Sequence, residues 1–567
     1  MTRIGFVLAG LVGVGVLSSQ GGEIANSYVS VSTKQTDCLT KQKNQDGKDE
    51  FIAYCPPKSP DKVTFKVTAL GDYELEAPTP NITPKKAGEM VINNTGKDDW
   101  KVKFVKGHEE RYFDGKIIVK NVTLKPISVS FYTRIGSLTS DDRSVVYDAP
   151  HWTNGIAKTK PVAFVSGSNP KTENPQLSAT FQVKETDIPP TLTGIRVRAK
   201  GAKAKPGAGG TVVYEEVTFI QPAGVTLREV KDKATGKVTL EADLNKQTFD
   251  TPIADVIKHY PDGSFILTWE MSTGTDENGN ALWYPIGATP HTVYVTLEEP
   301  KTGLRQESLF YISCKAADGE YRMTHVPERV WSGCKGVGGF EGLDVRRVDG
   351  TQLTYYAKYD CNNLTTSELL AGVDGQCGAW VELFLDALKI QGFEFKKGNF
   401  FEICPSSNDH NPQVTSGPLD TGIMIKTWTF GTSSGKRPHP YQNTPVRASW
   451  FNATSTGYEW VVSPPAEVNY TEGTPGQGQG KNKPKSLFLR HYVAYVEVNG
   501  KGKYYDPSYG KIFDPNDPTI QPANLRSLQQ QFMSEISGYY KKKNDFDARF
   551  REKQKKCEIQ VKGIRKH

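Results

Sequence analysis

Two short stretches carry residue types that could perform nucleophilic chemistry. In "VDGQCGAWVELFLDAL" (373–388), Cys377 sits directly before a run in which Val381, Phe384, Leu385 and Leu388 recur at i, i+3, i+4 and i+7. Glu382, Asp386 and Lys389 fall on another face, so the spacing predicts an amphipathic helix over 376–391 with Cys377 in or near its first turn. Unsatisfied backbone N–H groups and the positive end of the helix dipole favour thiolate over thiol there, and the same amides could stabilise an oxyanion. In "RHYVAYVEVNGKGKYYDPSYG" (490–510), residues alternate on a period of two up to Asn499-Gly500, a strong hairpin signal. With those two as the turn, Asp506 lies opposite Val493, on the same sheet face as His491. His491 and Asp506 become diagonal neighbours, about 7–8 Å apart at the backbone and within side-chain reach. A three-residue loop would instead put them on opposite faces. The sequence thus supplies a thiol nucleophile, a base and a carboxylate to orient it.

Around this set, Gln376 could help shape an oxyanion site, while Trp380 and Trp428 could wall a water-excluding cleft or serve as core aromatics. His108, His151, His259, His291, His325, His410 and His439 are scattered, and none stands in a metal-binding motif, so neither a catalytic metal nor a cofactor is expected. "GVGGFEG" (336–342) has Glu341 where a phosphate-binding loop needs its last glycine and reads as a loop into the next domain. An internal thioester between Gln376 and Cys377 would require a very small ring. Asn81, Asn93, Asn121, Asn363, Asn452 and Asn469 begin Asn-x-Thr triplets that matter only where such sites are glycosylated.

The elements that must position these groups come late in a 567-residue chain, long enough for about three or four domains. "MTRIGFVLAGLVGVGVLSSQ" (1–20) has the layout of a secretory signal peptide, with a retained N-terminal anchor as the alternative, and no other segment is long and apolar enough to cross a membrane. A secreted or cell-envelope location follows, and with it the option of disulfides: Cys38 with Cys55 and Cys314 with Cys334 are the local pairs, although sequence does not fix connectivity. After a short segment (21–58), alternating runs such as "VTFKVTAL", "GKIIVKNVTL", "LTGIRVRAKG" and "HTVYVTLEEP" predict antiparallel β-sandwiches of immunoglobulin-like kind, one within 59–170 and one within 176–313. "GAKAKPGAGG" (201–210) reads as a hairpin loop inside the second. Helix signals then join the strands in a mixed domain over 340–515, in which "TEGTPGQGQGKNKPKS" (471–486) is expected to be a mobile surface loop.

The net charge of +7 is concentrated in the tail: residues 541–567 carry eleven Lys/Arg against four Asp/Glu, within a 516–567 segment that reads as a basic helix. That tail could contact anionic cell-envelope polymers. No basic groove with interleaved aromatics points to nucleic acid.

The combination of "GQC" (375–377), "HYVAYVEV" (491–498) and "YYDPSYG" (504–510), in that order, resembles the transglutaminase-like superfamily of cysteine enzymes over about 340–515. Tyr492 and Ala494 replace the common small-then-aromatic order after the histidine. The 114-residue interval from Cys377 to His491 implies an insertion, to which 404–422 and 471–486 belong. The resemblance implies a papain-like α+β fold with Cys377, His491 and Asp506 as the catalytic set. The expected activity is acyl transfer on a protein or peptide amide, ending in hydrolysis or in cross-linking. The alternative from another class is a surface adhesion or scaffold protein whose Cys/His/Asp domain is a non-catalytic binding module.

Overall fold

The computed structural model describes residues 120–514 apart from 168–173, 185–187, 234, 276–278, 334–338, 356–362, 396–398, 407–421, 426–457, 462–475, 479–486 and 489–490. Elsewhere, and at 402–406, 422–425, 458–461 and 487–488, it describes backbone strands, with side chains also at 41, 52 and 53. The expected signal peptide, Cys38 and Cys334 lie outside the described residues, as does Trp428.

The chain is multidomain and mostly β-sheet. Two five-stranded sheets take up the strands between Glu23 and Asn121. Two more form a sandwich from Leu124 to Thr296. One sheet runs in the order Trp152–Thr153, Leu124–Tyr132, Gln176–Val183, Val238–Thr248, Thr226–Lys231; the other runs Val162–Val165, Tyr284–Thr296, Lys258–Ser272, Arg196–Pro206, Val212–Gly224. Along Gln176–Val183 every second residue is buried, the period of a strand with one face on a core. Leu177, Phe181, Leu267 and Trp269 fill the space between the sheets, and the Trp269 indole N–H donates to Thr289 Oγ1 at 2.9 Å.

This grouping differs from the expected boundaries. Strands 124–132 and 162–165 pair with strands from the second half, so the division falls at about 122 instead of 170–176. The cause is non-local pairing: Leu124–Tyr132 is antiparallel to Gln176–Val183, and Val162–Val165 is parallel to the distant Val293–Thr296. The glycine- and lysine-rich 201–210 stretch does make a hairpin, but only 207–211 is turn; Gly201 to Pro206 are strand.

The helical part begins at 307, inside the stretch assigned from sequence to the second sandwich. Helices α1 (Glu307–Ala316), α2 (Val326–Ser332), α3 (Thr366–Gly372) and α4 (Cys377–Ile390) gather beside a five-stranded antiparallel sheet. Its strand order is Lys511–Phe513, Lys501–Asp506, His491–Val498, Phe400–Ser406, Glu558–Arg565. α4 is the central element. Trp380, Val381, Leu383, Phe384, Ala387 and Leu388 are fully buried, and even Asp386 is 8 % exposed, accepting from Thr366 Oγ1 at 2.7 Å. The expected amphipathic helix is enclosed on nearly all sides, because α1, α2, α3 and the sheet each cover part of it.

Three further expectations are corrected. Cys314 is a free, buried thiol and not half of a disulfide; its Sγ lies 3.7 Å from Val295 O and 3.4 Å from Gln391 Nε2, and burial pushes it up to about 12. In the C-terminal tail, Ser537–Lys542 and Glu558–Arg565 are strands, the first within a four-stranded sheet with Tyr458–Val461, Gly422–Ile425 and Leu487–Phe488. Their paired tyrosines and alternating β-branched residues outweigh the helical composition around them. Within the polar 471–486 stretch, Gln477 is fully buried and held by hydrogen bonds, so this part of it is interior and not surface loop.

Candidate active site

The entry to α4 is fixed by backbone geometry before the cysteine is reached. Thr365 caps α3, accepting from the Glu368 amide while Glu368 accepts from the Thr365 amide, a reciprocal capping box. α3 ends at Val373 in the left-handed region (φ 68°), which turns the chain sharply into Asp374-Gly375. Thr354 then pairs with Asp374 in a short parallel bridge, and its hydroxyl donates to Asp374 Oδ1 at 2.8 Å. Asn363 clasps the same segment from the other side. Its Nδ2 donates to Asp374 O (2.7 Å) and its carbonyl accepts from the Gln376 amide (3.0 Å). The side-chain nitrogen that a glycan would need is therefore engaged in holding the turn.

Cys377 follows as the first residue of α4, 5 % exposed. Gln376 is the extended N-cap residue, half-buried, and its side chain does not cap the helix. The N–H groups of the first turn have no intrahelical acceptor and cluster around the cysteine.

The histidine and the acid come from the hairpin. Asn499 (φ 52°) and Gly500 (φ 75°) form the two-residue turn, both left-handed as a type I′ turn requires. Val498 pairs with Lys501 and Ala494 with Tyr505, the register that brings Asp506 opposite Val493. His491 Nε2 lies 2.8 Å from Asp506 Oδ2, and both side chains are fully buried. Asp506 Oδ1 accepts from the backbone amides of Ser508 (3.1 Å) and Tyr509 (3.3 Å). The Tyr509 ring packs 5.5 Å from the imidazole and edge-on to Tyr355.

The third member reaches the same imidazole. Burial alone would lower the His491 ring, but the charge and hydrogen bond of Asp506, joined by the hydrogen bond and charge of Cys377, outweigh it and hold it up at about 10. The structure therefore brings Cys377, from the start of α4, into the neighbourhood of the His491–Asp506 pair carried by two adjacent strands.

Trp380 does not line a cleft. It is fully buried, donates from Nε1 to Thr354 O at 3.3 Å and packs edge-on to Phe340. Its complete burial against Phe340 makes it a core aromatic. Sequence reading missed Asn363, whose only signal was a glycosylation triplet, and Gln477, buried within a stretch whose composition looks solvated. Among the described residues, no group of three His, Cys, Asp or Glu could hold a metal ion, and no helix is long and apolar enough to cross a membrane.

No family model matches the chain, and no curated protein matches it. Among solved structures, a chimeric titin Z1Z2 functionalised with a decorin peptide aligns at 8% identity, covering 48% of this chain and 99% of that one, with a TM-score of 0.15. The titin Z1Z2 domains in complex with telethonin align at 8% identity over 48% of this chain and 97% of that one, with a TM-score of 0.11. Mouse clustered PcdhgC3 EC1-3 aligns at 11% identity over 40% of this chain and 56% of that one, with a TM-score of 0.09. Superpositions this loose carry no functional argument. The sandwich is defined by its own strand pairing.

Proposed function

We propose that the chain is an exported cysteine acyl-transfer enzyme acting on protein or peptide amides, with the 340–515 region as a papain-like, transglutaminase-like catalytic domain. The observation that carries this reading is the fully buried His491–Asp506 pair at 2.8 Å, with Cys377 acting on the same ring from a helix N-terminus. A purely structural domain gains little from enclosing an imidazole, a carboxylate and a thiol together, since each costs desolvation energy when charged.

In this reading the Cys377 thiolate attacks the carbonyl carbon of an amide, and the first-turn N–H groups of α4 receive the developing oxyanion. The protonated His491 ring donates its proton to the departing nitrogen, the C–N bond breaks, and an amine leaves behind a thioester on Cys377. Neutral His491 then takes a proton from the acceptor as its nucleophile attacks the thioester. Water gives hydrolysis and restores the thiol; a substrate amine gives a new amide and a cross-link. Asp506 keeps the ring in orientation and balances its charge. The β-sandwiches serve as immunoglobulin-like spacers or substrate docks, and the basic tail as a contact to anionic envelope polymers.

The test is thiol alkylation followed by mass spectrometry. Cys377 is expected to be alkylated at neutral pH faster than an exposed free cysteine, and roughly 100-fold more slowly in His491→Ala. Envelope proteins from cells with and without Cys377→Ala should differ in new termini or in cross-linked peptides. A Cys377 no more reactive than a free thiol, indifferent to His491, would return the domain to a binding role.

A further inference from the structure

Gln477 touches the two peptide units that grip Asp506. Its side-chain Nε2 donates to Pro507 O at 2.9 Å and to Phe340 O at 2.7 Å, and its backbone N–H donates to Ser508 O at 2.9 Å. Pro507 C=O and the Ser508 N–H belong to one peptide group; Ser508 C=O and the Tyr509 N–H belong to the next. A peptide group is planar and trans, so fixing the direction of its oxygen fixes the direction of its N–H. Those two N–H groups are the donors to Asp506 Oδ1. Each peptide is therefore held by Gln477 at one end and delivers a proton to the carboxylate at the other. Hydrogen bonding to the carbonyl also polarises the N–H and strengthens its donation.

The surroundings leave Gln477 little freedom. It is fully buried, and its own carbonyl accepts from the Tyr355 amide at 2.9 Å. Gly478 (φ 64°) follows so closely on Leu353 that a Cβ would stand 2.5 Å from its carbonyl oxygen. Gly510 (φ 62°) closes the other side, where a Cβ would meet Glu341 O at 2.8 Å and Phe340 O at 2.9 Å. The 340–341 backbone, Gln477 and the Asp506–Gly510 turn thus form one hydrogen-bonded block beneath the acid.

We infer that Gln477 is a positioning residue for the site: by clamping the Pro507–Ser508 and Ser508–Tyr509 peptides it aims Asp506 at His491. The inference rests on the reading of Cys377, His491 and Asp506 as a catalytic set, and it adds a fourth residue, 100 positions downstream of the cysteine. Gln477 does not touch the reacting atoms.

The experiment compares the full chain with Gln477→Met, which keeps the side-chain length and removes the amide donor, and with Gln477→Glu. Two readouts are taken on folded protein: the pH profile of Cys377 alkylation, and the downfield imidazole N–H proton resonance of His491 Nε2. Both variants are expected to shift that resonance and to slow alkylation at neutral pH by roughly ten- to a hundredfold, the effect of a small misplacement. Rates at high pH should stay near those of the unaltered protein. A fall in thermal stability with both readouts unchanged would overturn the positioning role. If Cys377 proves unreactive in the unaltered protein, the catalytic reading fails, and the His491 resonance still reports on the clamp. Hydrogen exchange of the Ser508 and Tyr509 amides in the unaltered chain covers the case in which neither variant folds: protected amides support the clamp, and fast exchange rules it out.

Discussion

At the scale of single residues, the proton on His491 links the site to the stability of the fold. An exposed histidine in the unfolded chain titrates near ~6.5, whereas in the folded protein Asp506 and Cys377 overcome the opposing effect of burial and hold the ring up at about 10. Between those two values the folded state binds the extra proton. The stabilisation from this group is therefore complete below ~6.5 and is lost as pH rises through about 10. The thermal midpoint of the unaltered protein should fall between neutral pH and pH 10, and the fall should be shallower in His491→Ala, as followed by differential scanning calorimetry. A slope that survives the substitution would assign the effect to other groups. In the proposed reading, the raised value favours the protonated ring that would expel an amine.

At the scale of elements, the site depends on how two short segments begin. The α3 capping box sets the path into the turn before Cys377, so Thr365→Ala should cost about 1 kcal/mol in urea unfolding while Thr365→Ser costs a few tenths. A cost equal for both would mean that the hydroxyl is not the stabilising group. The hairpin carrying His491 and Asp506 was readable residue by residue, because Asn499-Gly500 admits few turn types and a period of two then fixes which side chains share a face. The start of α4 was readable too, since apolar spacing and a preceding Asp-Gly mark it. What sequence left hidden was non-local. Nothing in 124–165 says that its strands pair with partners as distant as Val162 with Val293, and the tail strands at 537–542 and 558–565 find their sheets across the same kind of distance. Gln477 was hidden because its burial comes from Phe340, Tyr355 and Pro507, three separate stretches, and not from any property of the polar residues beside it.

At the scale of the whole molecule, the sandwich holds three buried histidines that burial keeps neutral. Burial first, then Lys160, lowers His151 to about 4; burial, then Lys315 and Lys258, lowers His259 to about 4; burial, then His151, lowers His291 to about 3. For His151 the hydrogen bonding agrees, since its Nδ1 accepts from the Phe131 amide at 3.1 Å. Folded values below unfolded ones mean that this stability is complete above ~6.5 and is lost as pH falls toward 4, by about 1.4 kcal/mol per pH unit for each engaged site. Acid unfolding followed by Trp269 fluorescence should begin in that window, with the three imidazoles remaining neutral until the sandwich opens; titration of all three near ~6.5 in folded protein would contradict the burial argument. The sandwich is also joined to α4. Leu297 N donates to Gln391 Oε1 (3.0 Å), Glu298 N to Gln391 O (3.2 Å) and Lys301 N to Lys389 O (2.8 Å), while Ile257, Tyr294 and Leu297 share one apolar core with α1 and α4. A fragment cut at 340 would strip Tyr294, Leu309 and Phe310 from that core and remove the cover that α1 and α2 give the helix bearing the cysteine. In the proposed reading, a substrate meets Cys377 on a helix braced by the neighbouring sandwich, as a tool is guided by a fixed jig and not by a swinging arm.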